Sequence, residues 1–160
     1  MSNIFWKSFS VLVTVLFEDE KSKHSVFMSA CKNGDVEIVQ LILDCTEFDP
    51  SEASMYVEYG DKNGAIRWAC CNGHIAVVDR LIQDRRVDPS GDDDGPIKIS
   101  ICQGYTDIVY LLLQDARVDP SANNNWAIRV AKKSVYTDVI NLVLQDPRYN
   151  KNLTVKSYEY

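Results

Sequence analysis

The five residues Arg86-Val87-Asp88-Pro89-Ser90 recur unchanged 31 positions later as Arg117-Val118-Asp119-Pro120-Ser121. A looser copy, Phe48-Asp49-Pro50-Ser51, precedes them, and a degenerate copy, Arg148-Tyr149-Asn150, follows. Recurrence at a fixed spacing is typical of proteins in which each repeat buries its apolar face against the next. The sequence therefore predicts a repeat array.

Each repeat is predicted to contain two short helices joined by a turn. The second helix carries the pattern Val77-Val78-x-x-Leu81-Ile82, and equivalent apolar residues occur in the next two repeats. This spacing forms a broad apolar stripe on one face of a helix. Helices of about nine residues are unstable alone in water, so packing between repeats must stabilise them.

The turn between the two helices carries a glycine in three of the four repeats. Gly34, Gly73 and Gly104 are predicted to adopt a positive φ there. Val135 replaces the glycine in the last repeat, where we expect a distorted turn. Pro96 is predicted to lie in the first turn of a helix, where its missing N–H costs nothing. A polar residue just before the first helix is predicted to cap it, and this position is occupied by Asn63, Asp94 and Asn125.

The stretch Gly64-Ala65-Ile66-Arg67-Trp68-Ala69-Cys70-Cys71-Asn72-Gly73-His74-Ile75-Ala76-Val77-Val78 resembles the ankyrin repeat, which reads T-P-L-H-x-A-A-x-x-G-H-x-x-V-V. The resemblance covers residues 25–150 and is similar to short variants in arrays of protists and large amoebal viruses. It implies an all-α ankyrin-repeat solenoid of about four helix-turn-helix repeats. Because the period is 31 residues against roughly 33 in the family, the projecting β-finger should be stunted. The resemblance also gives His74 a structural role in the interhelical turn.

The predicted organisation places a helical capping segment at residues 1–24, closed by a polar break at residues 21–24, and the ankyrin-repeat domain at 25–150. Residues 151–160 are a tail or partial repeat. The connector at residues 51–63 is longer than the others, which makes it a candidate binding loop. The repeats are predicted at 25–50, 51–89, 90–120 and 121–150.

Composition excludes several classes of function. The net charge of −6 and a pI of about 4.9 argue against binding to nucleic acid or to an anionic membrane surface. The five cysteines form no C-x-x-C motif and only two histidines are present, so we expect no disulfide framework and no metal site. Free thiols favour a reducing compartment, and we expect a cytoplasmic location, the host cytoplasm for a viral protein.

No catalytic constellation or cofactor motif occurs, and we predict that the protein is not an enzyme and binds no cofactor. A nucleophilic cysteine needs a neighbouring base to activate it. We do not expect His74 to be that base, because its expected role is structural. Charged residues recur at the repeat period in two series, which we call charge ladders. One comprises Arg86, Arg117 and Arg148, which lie beside acidic residues, and the other comprises Arg67, Lys98 and Arg129. We interpret them as contacts between repeats rather than as a binding stripe.

The predicted function is a non-catalytic protein-interaction module that binds a partner with a basic patch. The resemblance places its contact surface on the connector tips and the ends of the first helices. The alternative is a structural protein, for example one packaged in a virion, that self-associates through apolar residues 4–17; otherwise we expect a monomer. The predicted contact residues are Met55, Tyr56, Tyr59, Asp61, Lys62, Asn63, Asn72, Asp92, Asp93, Asp94, Gln103, Asn123, Asn124 and Asn125.

Overall fold

The computed structural model describes residues 20–52, 63–134 and 136–149, without the side chains of Asn124 and Ser134. Val135, most of the predicted cap and long connector, and the tail lie outside the described residues. Within those ranges the chain forms eight α-helices and no strand. The all-α fold predicted from the repeats is therefore confirmed. The helices are α1 (Glu20–Asn33), α2 (Val36–Leu43), α3 (Gly64–Cys71), α4 (Ile75–Ile82), α5 (Gly91–Gln103), α6 (Thr106–Leu113), α7 (Ala122–Ser134) and α8 (Thr137–Gln145).

The described helices pair as the sequence pattern predicts. In the unit that ends at Asp88, α1 packs against α2 and α3, and α4 packs against α2 and α3. In the unit that begins at Pro89, α5 packs against α6 and α7, and α8 packs against α6 and α7. Each unit therefore contains two stacked helix-turn-helix repeats. The largest core side chains are fully buried, among them Phe27, Ile42, Ile66, Leu81, Ile101, Ile108, Leu112 and Ile128.

The predicted interhelical turns are confirmed. Gly34, Gly73 and Gly104 have φ values of 81°, 75° and 74°. A Cβ on Gly34 would lie 2.7 Å from Nδ1 of His74, and one on Gly104 would lie 2.7 Å from the Tyr136 ring. At Gly34 and Gly104 glycine is required for two reasons, because the backbone is left-handed and an aromatic ring from the next repeat lies against the turn.

The predicted polar break at residues 21–24 is wrong, because these residues lie in the first two turns of α1. The His24 side chain bonds to the backbone carbonyl of Glu20 at 2.7 Å, and the Lys23 ammonium lies 2.8 Å from the Glu20 carboxylate. His24 also packs against Phe48, with ring centroids 4.8 Å apart. These local contacts allow a polar stretch to be helical even though it carries little apolar periodicity.

The described connectors contain a left-handed turn where a β-finger would project. Asp92, Asp93 and Asp94 have φ values of 55°, 56° and 60°, so the regular part of α5 begins only after them. The backbone N–H of Asp94 donates to the carbonyl of Ser90 at 2.9 Å, and Asn125 repeats this bond with Ser121 at 3.0 Å. Pro96 therefore lies in the first regular turn, as predicted, and the expected shortening of these fingers is confirmed.

Candidate interaction surface

Asn63 is part of the interior of the first unit and not of its surface. It is 8% exposed, adopts a left-handed backbone with φ 61°, and makes no side-chain capping bond to α3. Its Oδ1 instead accepts a hydrogen bond from the backbone N–H of Asp88 at 2.9 Å. The predicted capping role is therefore wrong, because the N–H that it satisfies belongs to the following connector. Its burial also removes Asn63 from the candidate contact surface.

Asp94 occupies the same repeat position in the second unit and makes the same kind of contact. Its carboxylate accepts a hydrogen bond from the backbone N–H of Asp119. Burial raises the pKa of the Asp94 carboxyl; Lys98 opposes the rise, and the charges of Asp119 and Asp93 add to it. Asp94 is half-buried, so its main role is to join two connectors.

Asn125, the third residue of this series, is fully buried. Its φ of 57° matches the left-handed geometry of Asn63 and Asp94. The same repeat position thus carries a polar, left-handed residue three times, buried at Asn63 and Asn125 and half-buried at Asp94. Asn125 is consequently a structural residue rather than a contact residue, contrary to the prediction.

Other predicted residues are exposed at two connector tips, one at the start of α5 and one at the start of α7. Asp92, Asp93 and Asn123 are all exposed. The Asp93 carboxylate pairs with Lys98 at 2.7 Å and accepts a bond from Nδ2 of Asn123 at 2.8 Å, and these two contacts lower its pKa. The tip is therefore an ordered acidic surface, held by bonds between neighbouring connectors.

Polar residues are also exposed at the C-terminal ends of the first helices. Asn72 lies at the end of α3, where its Nδ2 donates to the carbonyl of Trp68 at 2.8 Å. Gln103 occupies the same repeat position at the end of α5 and is exposed. Within the second unit, Gln103 together with Asp92, Asp93 and Asn123 forms what we term the tip surface.

Two cation–π contacts beside these positions were not predicted from the sequence. The Lys32 ammonium lies 5.0 Å from the centre of the Trp68 ring, and the Lys98 ammonium lies 5.5 Å from that of Trp126. Each pair joins the first helices of adjacent repeats within one unit, and each contributes about 0.5–1 kcal/mol where it is exposed. The repeating sequence pattern does not indicate these two contacts, because Lys32 and Lys98 occupy different repeat positions.

The arginine ladder is structural where its contacts are described, as predicted. Nε and Nη2 of Arg86 bind the two carboxylate oxygens of Asp84 at 2.9 and 2.7 Å. The same guanidinium donates to the carbonyls of Leu43 and Phe48 in the preceding repeat, at 2.6 and 2.7 Å. Asp84 thus holds the arginine in the orientation needed to bind the previous connector, and the Arg86 bond lowers the pKa of Asp84.

The described histidines and cysteines form no catalytic arrangement. Nε2 of His74 bonds to the backbone carbonyl of Lys32 at 2.8 Å, which confirms its structural role. Burial raises the pKa of the Cys31 thiol far above its ordinary value, so this cysteine is a poor nucleophile. Cys102 is exposed. In the described part of the chain, no group of three or more His, Cys, Asp or Glu side chains could hold a metal ion.

The remaining predicted contact residues, Met55, Tyr56, Tyr59, Asp61 and Lys62, lie outside the described residues, as does the side chain of Asn124. Among the helices that the structure describes, none combines the length and the apolar character needed to cross a lipid bilayer.

A family model for ankyrin repeats, in three copies, matches residues 8–93 and 27–124. Together the matches cover well over half of the chain, and they agree with the helix-turn-helix pairs described above. A search of curated proteins finds no match to this chain. Ankyrin repeats are generally protein-interaction modules and are typically not catalytic. From the repeat, the helix pairing and the family match, we conclude that this chain belongs to the ankyrin-repeat family.

Proposed function

We propose that the protein is a non-catalytic scaffold or adaptor that binds a partner protein through its tip surface. The observation that supports this proposal is the difference between two sets of polar residues. Asn63 and Asn125 are buried, whereas Asp92, Gln103 and Asn123 are polar and exposed on the second unit. Exposed polar groups on a rigid repeat scaffold are suited to partner recognition.

The charge of the tip surface supports a partner with a basic patch. Asp92 and Asp93 place two exposed carboxylates at the tip, and Asp93 pairs with Lys98 at 2.7 Å. A basic surface on the partner would complement the tip and accelerate encounter. We also propose a cytoplasmic location, which the five free cysteines support.

Affinity capture with matched charge variants tests this proposal. The test variant is Asp92→Asn with Asp93→Asn, and the control is Asp79→Asn with Asp107→Asn. All four residues are exposed, but the control pair lies on the second helices α4 and α6. Asparagine tolerates the left-handed backbone of the tip, so both variants should fold.

We expect proteins captured by the unchanged chain to be depleted about tenfold with the tip variant and retained with the control, measured by quantitative mass spectrometry. Equal capture by all three proteins would exclude the acidic tip as a determinant of binding. Equal loss in both variants would show that net charge, rather than this surface, determines capture.

A further inference from the structure

Backbone carbonyls in the first unit form a binding site for arginine. The carbonyls of Leu43, the last residue of α2, and of Cys45 and Phe48, which follow it, accept hydrogen bonds from Arg86 at 2.6, 3.3 and 2.7 Å. They converge because the chain turns after the helix, where the backbone N–H of Phe48 donates to Cys45 at 3.3 Å. We refer to such a set of three carbonyls as a carbonyl cradle.

The second unit repeats this cradle with a different arginine. Nη1 of Arg148 donates to the carbonyls of Asp115 and Val118 at 2.9 and 2.8 Å, and Nη2 donates to the carbonyl of Leu113. The same turn is present, with Val118 N–H donating to Asp115 at 3.2 Å. Two cradles at equivalent repeat positions therefore bind a guanidinium that an Asp-x-Arg turn presents.

A third cradle follows α8, at the carbonyls of Leu144, Asp146 and Tyr149. The turn is again formed, since Tyr149 N–H donates to Asp146 at 3.0 Å. Among the residues that the structure describes, no side chain donates to the carbonyl of Leu144 or Tyr149. Leu144 is 38% exposed, whereas the equivalent Leu43 and Leu113 are 3% and 6% exposed.

We propose that this third cradle binds an arginine of a partner protein, presented by an Asp-x-Arg turn and followed by an apolar residue. The planar guanidinium matches converging carbonyls as it does in the first two cradles, and the C-terminal end of a helix favours a cation. The apolar residue after the arginine is buried at Val87 and Val118, and its counterpart in the partner would cover Leu144. This site is separate from the tip surface and does not depend on it.

The sequence argues against a second copy of this chain as the occupant. In the first described repeat, the positions equivalent to Asp84 and Arg86 are Cys45 and Glu47. A copy stacked through that repeat would bring a carboxylate to the cradle, which repels the carbonyl oxygens. Residues 150–160 contain no arginine, although they include Lys151 and Lys156.

The test is an NMR titration of the ¹⁵N-labelled full chain with the capped peptide Asp-Ala-Arg-Val-Asp-Pro, copied from residues 115–120. A peptide with citrulline in place of arginine keeps the shape and removes the charge. We expect saturable shifts in the amide signals of residues 144–149, with the citrulline peptide binding about tenfold more weakly. The variant Leu144→Lys should abolish binding, whereas Tyr110→Lys, at another exposed apolar residue, should not.

Three results would overturn the proposal. The first is the absence of localised shifts at residues 144–149, and the second is equal binding of the arginine and citrulline peptides. The third is a shift of the same amide signals, without any peptide, when Lys151 and Lys156 are replaced by alanine. That result would identify the chain's own residues 150–160 as the occupant of the cradle.

Discussion

Replacing Arg86 by lysine tests the physical basis of the contact between repeats. The Arg86 guanidinium binds both carboxylate oxygens of Asp84 and, at the same time, the carbonyls of Leu43 and Phe48. Lysine keeps the positive charge but has no planar fork of donors. One ammonium group cannot reach the carboxylate and both carbonyls in this geometry, so at least two bonds are lost.

The expected loss follows from the number of bonds and their exposure. A hydrogen bond to a charged group contributes about 1.5–3 kcal/mol, and the lower value applies because the Arg86 side chain is 33% exposed. Two lost bonds amount to about 3 kcal/mol, and because water replaces part of them at this partly exposed position, we expect Arg86→Lys to lower the free energy of unfolding by about 2 kcal/mol. Arg86→Gln should cost about 3 kcal/mol, because it leaves the Asp84 carboxylate, 11% exposed, without its cation.

Urea unfolding followed by circular dichroism measures these losses, and Arg85 provides the matched control. Arg85 is the preceding residue in the chain and is exposed, so Arg85→Lys and Arg85→Gln make the same charge changes outside the contact. We expect each control to change the free energy of unfolding by less than about 0.5 kcal/mol. Equal unfolding midpoints for the two lysine variants would refute the reasoning.

The same contact predicts a pH dependence. Arg86 lowers the pKa of Asp84, so the folded state holds this carboxylate ionised to lower pH than the unfolded state does. Its stabilisation is present above the unfolded pKa of about 4 and is lost as the pH falls through the lower folded value. The difference in stability between the unchanged chain and Arg86→Gln should therefore narrow in acid.

Three further predictions concern single positions. Asp94→Asn should raise the free energy of unfolding at neutral pH, measured with urea, by about 0.5–1 kcal/mol, because burial disfavours the charged carboxylate and so raises the pKa of Asp94. The gain should disappear as the pH falls through the folded pKa. Gly104→Ala should lower the free energy of unfolding in urea by about 2–3 kcal/mol. Adding Tyr136→Ala should remove the steric part of that loss, since the new Cβ would contact the Tyr136 ring. Brief alkylation of the native protein, read by mass spectrometry, should modify exposed Cys102 and spare buried Cys31.

Each of these predictions has an outcome that contradicts it. A pH-independent gain from Asp94→Asn would show that packing, rather than charge, causes the effect. If the double variant with Gly104→Ala loses as much stability as the two single variants together, the ring does not contact the substituted position. Equal alkylation rates for Cys31 and Cys102 would show that the first unit opens on the timescale of the reaction.

The sequence by itself determined the repeat, the helix pairs and the glycine turns. These features depend on local backbone geometry and apolar periodicity, which short segments carry independently of their partners. Gly34, Gly73 and Gly104 were predictable because glycine adopts a left-handed backbone at no steric cost. The structural role of the Arg86 and Arg148 positions was also predictable, because Arg86, Arg117 and Arg148 recur at the 31-residue period.

Only the tertiary structure decided which polar residues are buried and what the arginines bind. Asn63 and Asn125 looked like contact residues, but their left-handed backbones turn them inward, where Asn63 satisfies the N–H of Asp88. The acceptors of Arg86 are backbone carbonyls. Because every residue has a carbonyl, the sequence does not indicate which of them accept these bonds. The turn after the second helix brings these carbonyls together, but Arg86 reaches them only because its repeat packs against the preceding one, and packing is a property of the folded chain.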